Sequence, residues 1–198
     1  LIDLKGANLS NISVSSSEVI VGSMTRHCDV ASSSDIKGSL PALAKLAGGI
    51  GDHMVRSCGT IGGSLANNDP AACYPSAVLA LGATVVTNER SITADDFFEG
   101  MFETALNEDE IITEVKFPIP EKASYIKFPN PASRYAMVGV FMVKKADEIS
   151  VAVTGAGENG VFRCKEIENV LNTKLAVEAL DNIQISHDNL TSDIHASA

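Results

Sequence analysis

The sequence predicts an α+β fold, because strand-like and helix-like patterns both recur along it. Short runs rich in β-branched residues, at 17–23, 110–117 and 149–154, are typical of strands. Apolar residues follow helical spacing over 40–54 and again over 166–171. We therefore expect helices and sheets packed within one chain.

A cluster of prolines indicates a boundary within the chain. Prolines stand at 118, 120, 129 and 131, where the composition also changes. The expected division is an α/β segment over residues 1–118 and a smaller α+β segment over residues 119–198.

Local signals predict the remaining elements. Residues 84–87 and 125–128 are predicted strands, whereas the apolar run 137–143 fits either a strand or a buried helix. A helix should begin at Asp69-Pro70 and end at Gly82. Further expectations are a short helix from a Thr25 cap toward residue 31, a loop or a tight approach of the backbone to another group at 57–68, a short helix or turn at 95–102, a hairpin turn at 155–160 and a helix at 175–183.

Composition disfavours several function classes. The formal net charge of -10 repels phosphate backbones, so nucleic acid is not an expected partner. No apolar run approaches the roughly 20 residues of a membrane-spanning helix. The four cysteines form no CxxC pair, which disfavours a zinc ribbon or an iron–sulfur cluster and predicts reduced thiols and a cytoplasmic location.

The stretch 56–75, RSCGTIGGSLANNDPAACYP, is the strongest candidate for a binding site. Gly59, Gly62 and Gly63 leave the backbone bare, so N–H groups can approach a flat or anionic ligand closely. Neighbouring short polar side chains add hydrogen-bonding groups, and a helix starting near Asp69 would add a positive dipole end. The alternative is a glycine-rich turn between two helices, and composition alone leaves both interpretations open.

Other chemically active residues have a simpler interpretation. The scattered histidines, His27, His53, His187 and His195, are predicted surface residues rather than metal ligands. Cys58 and Cys73 fit either reactive thiols or small half-buried residues, and the second interpretation is favoured. The acidic runs at 95–96 and 108–110 are predicted to be solvated loops.

The run from Arg56 to Ala83, RxxGTIGGSLANNDPAACYPSAVLALGA, resembles the second flavin-binding motif of molybdenum hydroxylase flavin subunits, the carbon monoxide dehydrogenase and xanthine dehydrogenase family. Downstream, Phe97-Phe98-x-Gly100 and the Glu110-Ile111-Ile112 segment are similar to that family in order and spacing. Lys127 followed by Ser133-Arg134-Tyr135-Ala136 resembles the start of its C-terminal subdomain. The likeness covers nearly the whole chain.

The resemblance implies an FAD-binding α/β subdomain of the PCMH type followed by a small C-terminal subdomain of antiparallel sheet plus helices, as in the carbon monoxide dehydrogenase flavoprotein. The family's first flavin motif, a glycine-rich pyrophosphate loop, should lie before Leu1, so we expect the N-terminal part to be missing and FAD binding to be weakened or absent. Many relatives carry Asp where this chain has Cys73. The residues that the resemblance places at the cofactor are Thr60, Ile61, Gly62, Gly63, Ser64, Asn67, Cys73, Ile112, Lys127 and Tyr135.

Particular roles follow from the resemblance. Thr60 to Gly63 would wrap the flavin, and the Ile112 backbone would meet its ring. Lys127 would stabilise the anionic reduced ring, and Tyr135 would cover one ring face.

The function that the resemblance implies is FAD-dependent electron transfer within an oxidoreductase complex. Electrons would arrive from 2Fe-2S clusters on a small subunit, after substrate oxidation on a molybdopterin-binding large subunit, and would leave to an external acceptor. Two alternatives remain: a stand-alone flavin oxidase of the vanillyl-alcohol oxidase type, and an assembly module without flavin.

Overall fold

The computed structural model describes residues 2–146, 148–194 and 196–198. Leu1, which opens the first predicted segment, and His195, one of the predicted surface histidines, lie outside the described residues, as does Asp147. The strands are β1 (Ile12–Val14), β2 (Glu18–Gly22), β3 (Thr84–Thr87), β4 (Ser91–Thr93), β5 (Phe98–Gly100), β6 (Glu103–Thr104), β7 (Ile112–Pro118), β8 (Lys122–Pro129), β9 (Ala136–Lys145), β10 (Glu148–Thr154) and β11 (Phe162–Arg163). The α-helices are α1 (His27–Ser32), α2 (Ser34–Ser39), α3 (Pro41–Gly48), α4 (His53–Cys58), α5 (Ile61–Asn67), α6 (Tyr74–Leu81), α7 (Ala94–Phe97) and α8 (Lys165–Thr173).

Two antiparallel sheets organise the chain and confirm the α+β class. The first sheet has five strands in the order β1-β2-β7-β3-β4, and the second has four in the order β11-β10-β9-β8. A short pair, β5 and β6, stands apart from both. The apolar run at 137–143, which left strand and helix open, lies in β9.

Helix α6 lies between the two sheets. Every residue of its YPSAVLAL sequence is buried, which suits a helix that is apolar all round. It packs against β9 and β10 of the second sheet and against β7 of the first. One hydrophobic cluster therefore runs from Val19 in β2 to Ala152 in β10, and a second, smaller cluster includes Val151 of β10 and Leu171 of α8. Gly82 ends the helix in a left-handed conformation, as predicted.

Helix α5 corrects the predicted loop at 57–68. Thr60 caps this helix, since its Oγ1 accepts a hydrogen bond from Gly63 N at 3.2 Å. Ile61 and Leu65 are fully buried on its inner face. The loop interpretation was wrong because tertiary burial and capping outweigh the helix-breaking tendency of two glycines. The alternative, a tight approach of the backbone to another group, is confirmed at Gly59 and Gly62.

Several helix boundaries also differ from the predicted ones. The helix expected at Asp69 begins instead at Tyr74, because the Asp69 carboxylate accepts from Ala71 N and holds a turn there. The helix predicted over 40–54 is interrupted after Gly48, and Asp52 caps a second helix by accepting from Val55 N. The predicted helix at 175–183 is only a 3₁₀ turn, Val177–Leu180.

Thr25 does not cap α1. Its hydroxyl donates instead to the Asn11 carbonyl, and the residue before the helix is Arg26. The hairpin turn predicted at 155–160 is confirmed, since it joins the antiparallel strands β10 and β11.

Glu110 is buried at the edge of the first sheet, so the prediction of a solvated acidic run at 108–110 is wrong for this residue. Its side chain has no exposed surface, and its oxygens accept from Arg90 at 2.9 and 3.0 Å, from the Thr87 hydroxyl at 2.7 Å and from Asn107 N at 3.0 Å. These donors lower the pKa of Glu110 to about 2, with the Arg90 guanidinium contributing most. The network joins the β3–β4 turn to the segment that leads into β7.

Gly62→Ala should lower the free energy of unfolding by about 2 kcal/mol, as overpacking typically does. An added methyl group would lie 2.6 Å from Ser23 Cβ and 2.8 Å from the Ser23 carbonyl oxygen, with no flexible group to yield. Urea denaturation measures the change. Gly38→Ala in α2 is the matched control, because nothing lies within 4 Å of the new methyl, and it should stabilise the protein by about 0.5–1 kcal/mol. Equal effects in the two variants would contradict the tight contact.

Glu110→Gln should remove a stabilisation that depends on pH. A carboxyl group whose pKa falls on folding stabilises the folded state above its unfolded value of 4.5, and this stabilisation is lost as the pH falls toward about 2. The difference in unfolding free energy between wild type and variant should therefore be constant near neutral pH and shrink through that acid range. Glu114→Gln, which affects a half-exposed ion pair with Lys116, serves as the control. A difference independent of pH would refute the assignment.

Candidate functional site

A cleft of about 740 Å³ opens between three walls of the structure. One wall is formed by the end of α4 and by α5, a second by the turn from Asp69 to Cys73, and a third by the β8–β9 connection. The α3–α4 connection closes one end with Ile50, Gly51 and Asp52. The volume is in the range of small-molecule and cofactor sites.

The first wall is held by a close approach between residues 59–62 and residues 23–27. Gly62 N donates to the Ser23 carbonyl oxygen at 2.8 Å, and His27 N donates to the Gly59 carbonyl oxygen at 2.9 Å. A Cβ on Gly59 would lie 2.6 Å from His27 Nε2. Gly59 and Gly62 are therefore required by chain packing, whereas Gly63 is exposed on the cleft side.

The second wall is tied to the second sheet. Thr154 of β10 donates its hydroxyl proton to the carbonyl oxygens of Pro70 at 2.9 Å and Ala72 at 2.6 Å. Asn68, which is buried and left-handed, donates through its amide to the Gly100 and Glu103 carbonyl oxygens. These bonds fix a segment that has no regular secondary structure.

The third wall is a turn stabilised by its own sequence. The Asn130 side chain accepts from Ala132 N at 2.9 Å and from Ser133 N at 3.1 Å, and Arg134 adopts a left-handed conformation. Tyr135 follows it and remains half-exposed at the cleft rim.

Lys127 connects the second and third walls to the end of α3. Its ammonium group donates to the Gly49 carbonyl oxygen at 2.5 Å and to the Arg134 carbonyl oxygen at 2.9 Å, and it lies 3.7 Å from Cys73 Sγ. Cys73 is buried at the residue that precedes α6. A positive charge thus lies at the point where the turn, the α3 end and the α6 start meet.

The cleft brings together most of the residues predicted for the site. Those that line it are Thr60, Gly63, Ser64, Asn67, Cys73, Lys127 and Tyr135. Gly62 and Ile112 line a smaller cavity of about 210 Å³, which shares Thr60 and Gly63 with the cleft. Ile61 lines neither, because its side chain is fully buried in the core.

Two sequence-based predictions at the cleft are wrong. Cys58, predicted to be half-buried, is exposed on the cleft wall. His27, predicted to lie at the surface, is only 5% exposed and also borders the cleft. The close contact of the His27 ring with Gly59 depends on residues 32 positions apart in the sequence, so no local pattern indicated it.

The remaining charges at the cleft are mixed. Lys127 and Arg134 line it together with Asp52 and Asp69. Arg56 lies behind the α3–α4 connection, where it donates to the Ile50 and Gly51 carbonyl oxygens. Within the part of the chain that the structure describes, no group of three His, Cys, Asp or Glu side chains is placed to bind a metal ion. Likewise, none of the helices in the described ranges has the length and apolarity that a bilayer crossing requires.

Comparison with known proteins identifies the family to which this chain belongs. Residues 1–120 match the family model of the FAD binding domain in molybdopterin dehydrogenase. The chain is 33% identical to the glyceraldehyde dehydrogenase medium chain of Sulfolobus acidocaldarius, over 92% of this chain and 69% of that protein.

Solved structures agree with the sequence comparison. A carbon monoxide dehydrogenase of Hydrogenophaga pseudoflava that lacks the Mo-pyranopterin moiety of its cofactor matches with a TM-score of 0.78 and 30% identity, over 91% of this chain and 70% of that chain. The quinoline 2-oxidoreductase of Pseudomonas putida 86 matches with a TM-score of 0.82 and 26% identity, over 96% and 72%. The chain therefore belongs to the family of FAD-binding domains of molybdopterin dehydrogenases, and it is an oxidoreductase subunit whose cofactor is FAD.

Proposed function

We propose that this chain holds FAD in the cleft and transfers electrons within a molybdenum hydroxylase complex. Electrons would come from the 2Fe-2S clusters of a small partner subunit and pass to an external acceptor, while a molybdopterin-binding large subunit oxidises the substrate. The observation that carries the proposal is the cleft itself, where backbone, hydroxyl groups, a cation and an aromatic ring converge from separate parts of the chain.

The residues at the cleft fit a flavin nucleotide. Gly63 presents backbone without a side chain, and Thr60, Ser64 and Asn67 add short polar groups along the same wall. Tyr135 stands on another wall of the cleft and offers an aromatic surface. We assign six residues to the cofactor site: Thr60, Gly63, Ser64, Asn67, Cys73 and Tyr135.

The chain contributes binding and electrostatics to the reaction. Bound FAD supplies a ring that accepts and releases electrons. Lys127 holds a positive charge at the cleft, fixed by two carbonyl oxygens, and this charge favours added negative charge nearby. Gly62 and Ile112 border the adjoining cavity, so we assign them to the edge of the site together with Ile61, whose backbone links Thr60 to Gly62.

We also propose that the chain assembles with two other subunits and that the complex is cytoplasmic. The name of the Sulfolobus relative, a medium chain, supports assembly with a larger and a smaller subunit. The four free cysteines support a reducing, cytoplasmic location. We propose a division into an FAD-binding segment at 1–118 and a C-terminal segment at 119–198, which would place the cleft where the two meet.

FAD uptake tests the proposed function directly. In an equilibrium titration followed by flavin fluorescence, which also detects weak binding, the chain should bind FAD, and Gly63→Val should lower FAD affinity at least about tenfold because an isopropyl group would project from the cleft wall. Gly38→Val in the remote helix α2 is the matched control and should bind FAD like the wild type. Circular dichroism confirms that both variants fold.

Two results would contradict the proposal. A wild-type chain that takes up no FAD would favour the assembly module, and a flavin-loaded chain that small alcohols reduce without partner subunits would favour the stand-alone oxidase. Bound flavin that such alcohols leave oxidised supports the electron-transfer subunit.

Cysteine alkylation provides an independent prediction. Iodoacetamide should modify the exposed Cys58 in the native protein, whereas the buried Cys73 and Cys164 should react only after unfolding. Because Cys58 lines the cleft, saturating FAD should slow its modification at least about fivefold. Peptide mass spectrometry measures each site, and AMP without a flavin ring is the control ligand. Modification at Cys58 that FAD leaves unchanged would place the cofactor elsewhere.

A further inference from the structure

His27 is a buried polar side chain without a hydrogen-bond partner for Nδ1 among the described residues. Its relative exposure is 5%. A buried polar group that lacks a partner destabilises the folded state, and such groups are rare in folded proteins. Among the described residues, five buried side chains have such an atom, and His27 is the one of the five that lines the cleft.

The ring is held in place from two sides. Gly59 packs against it so closely that a Cβ there would lie 2.6 Å from Nε2. The Tyr74 ring lies on another side, with 5.4 Å between the ring centroids. The backbone bond from His27 N to the Gly59 carbonyl oxygen fixes the start of α1 beside the cleft wall. A ring so confined is positioned in advance for a partner.

The same ring borders the cleft. Cys58, Gly59 and Thr60, which follow one another along the first wall, line the cleft beside it. A ligand in the cleft therefore passes next to the imidazole, and the unmet hydrogen bond and the cavity meet at one residue.

The imidazole is neutral in this environment. Burial, together with the smaller effect of the nearby Arg56 charge, lowers the pKa of His27 to about 4. A neutral imidazole carries one donor and one acceptor, so it suits a neutral partner better than a phosphate. A hydroxyl group both donates and accepts, and it therefore pairs with either imidazole tautomer.

We propose that the His27 imidazole hydrogen-bonds a hydroxyl group of the ribityl chain of the bound flavin and so positions the cofactor in the cleft. This inference rests on the proposed function, because it requires flavin in the cleft. It adds a binding residue that the glycine-rich motif does not contain.

Flavin analogues separate a ribityl contact from a ring contact. His27→Phe should weaken binding of riboflavin and FAD about fivefold to tenfold, as the loss of one buried hydrogen bond does. Lumiflavin, which has a methyl group instead of the ribityl chain, should bind the wild type and the variant equally. His27→Gln, which keeps a hydrogen-bonding group, should recover part of the lost affinity. Fluorescence quenching measures each dissociation constant.

Stability distinguishes ligand binding from a structural role. His27→Gln replaces the imidazole without adding ring volume beside Gly59, so its free energy of unfolding without flavin should stay close to that of the wild type. In the unmutated protein, riboflavin should shift the ¹⁵N resonances of the His27 ring in a histidine-selective spectrum, and lumiflavin should shift them less. The second measurement needs no variant.

The measurements distinguish failure of the proposed function from failure of the His27 contact. If the wild type binds neither riboflavin nor FAD, the proposed function fails and the inference with it. If the wild type binds both flavins but His27→Phe binds them equally well, only the His27 contact is refuted. If lumiflavin and riboflavin lose affinity by the same factor, the contact is not with the ribityl chain and the proposal is likewise overturned.

Discussion

The close approach between residues 59–62 and residues 23–27 is the constraint on which the cleft depends. Two bare glycines bring the start of α5 against the end of β2 and the start of α1, at distances that no larger residue tolerates. Gly63, one residue further on, is exposed on the cleft side, where an added Cβ would lie 3.1 Å from Thr60 Oγ1, so the segment presents backbone toward the cleft. Chain packing thus requires Gly59 and Gly62, whereas Gly63 of the same motif faces the cleft.

The other walls depend on long-range polar contacts with the second sheet. Thr154 anchors the turn at Pro70 and Ala72, and Lys127 joins the α3 end to the β8–β9 turn. Each contact joins residues more than 70 positions apart, except the local bond from Lys127 to Arg134. The second sheet does not contain the glycine motif, but its contacts help to set the shape of the cleft. Helix α6 packs against both sheets and so fixes the second sheet relative to the first.

Two buried titratable groups show how differently the fold treats polar side chains. Glu110 is buried, and its carboxylate accepts four hydrogen bonds, which compensate its charge. His27 is buried at the cleft with Nδ1 unpaired among the described residues. The first arrangement stabilises the first sheet, and the second is suited to a ligand, because an unmet hydrogen bond favours the molecule that completes it.

The sequence by itself determined the mixed fold class, strands β2, β3, β7, β8 and β10, the end of α6 at Gly82 and the glycine-rich motif, because these depend on local periodicity, turn residues and a resemblance over contiguous residues. Only the tertiary structure decided that α5 is a helix, that Asp69 holds a turn, that Lys127 is bound by two carbonyl oxygens and that His27 is buried. Except for the Asp69 turn, which Ala71 N holds locally, these features depend on partners distant in the chain. Ile61 illustrates the difference: the motif places it among the site residues, and burial directs its side chain into the core. Local patterns specify which conformations a segment favours, whereas burial and long-range hydrogen bonds select among them.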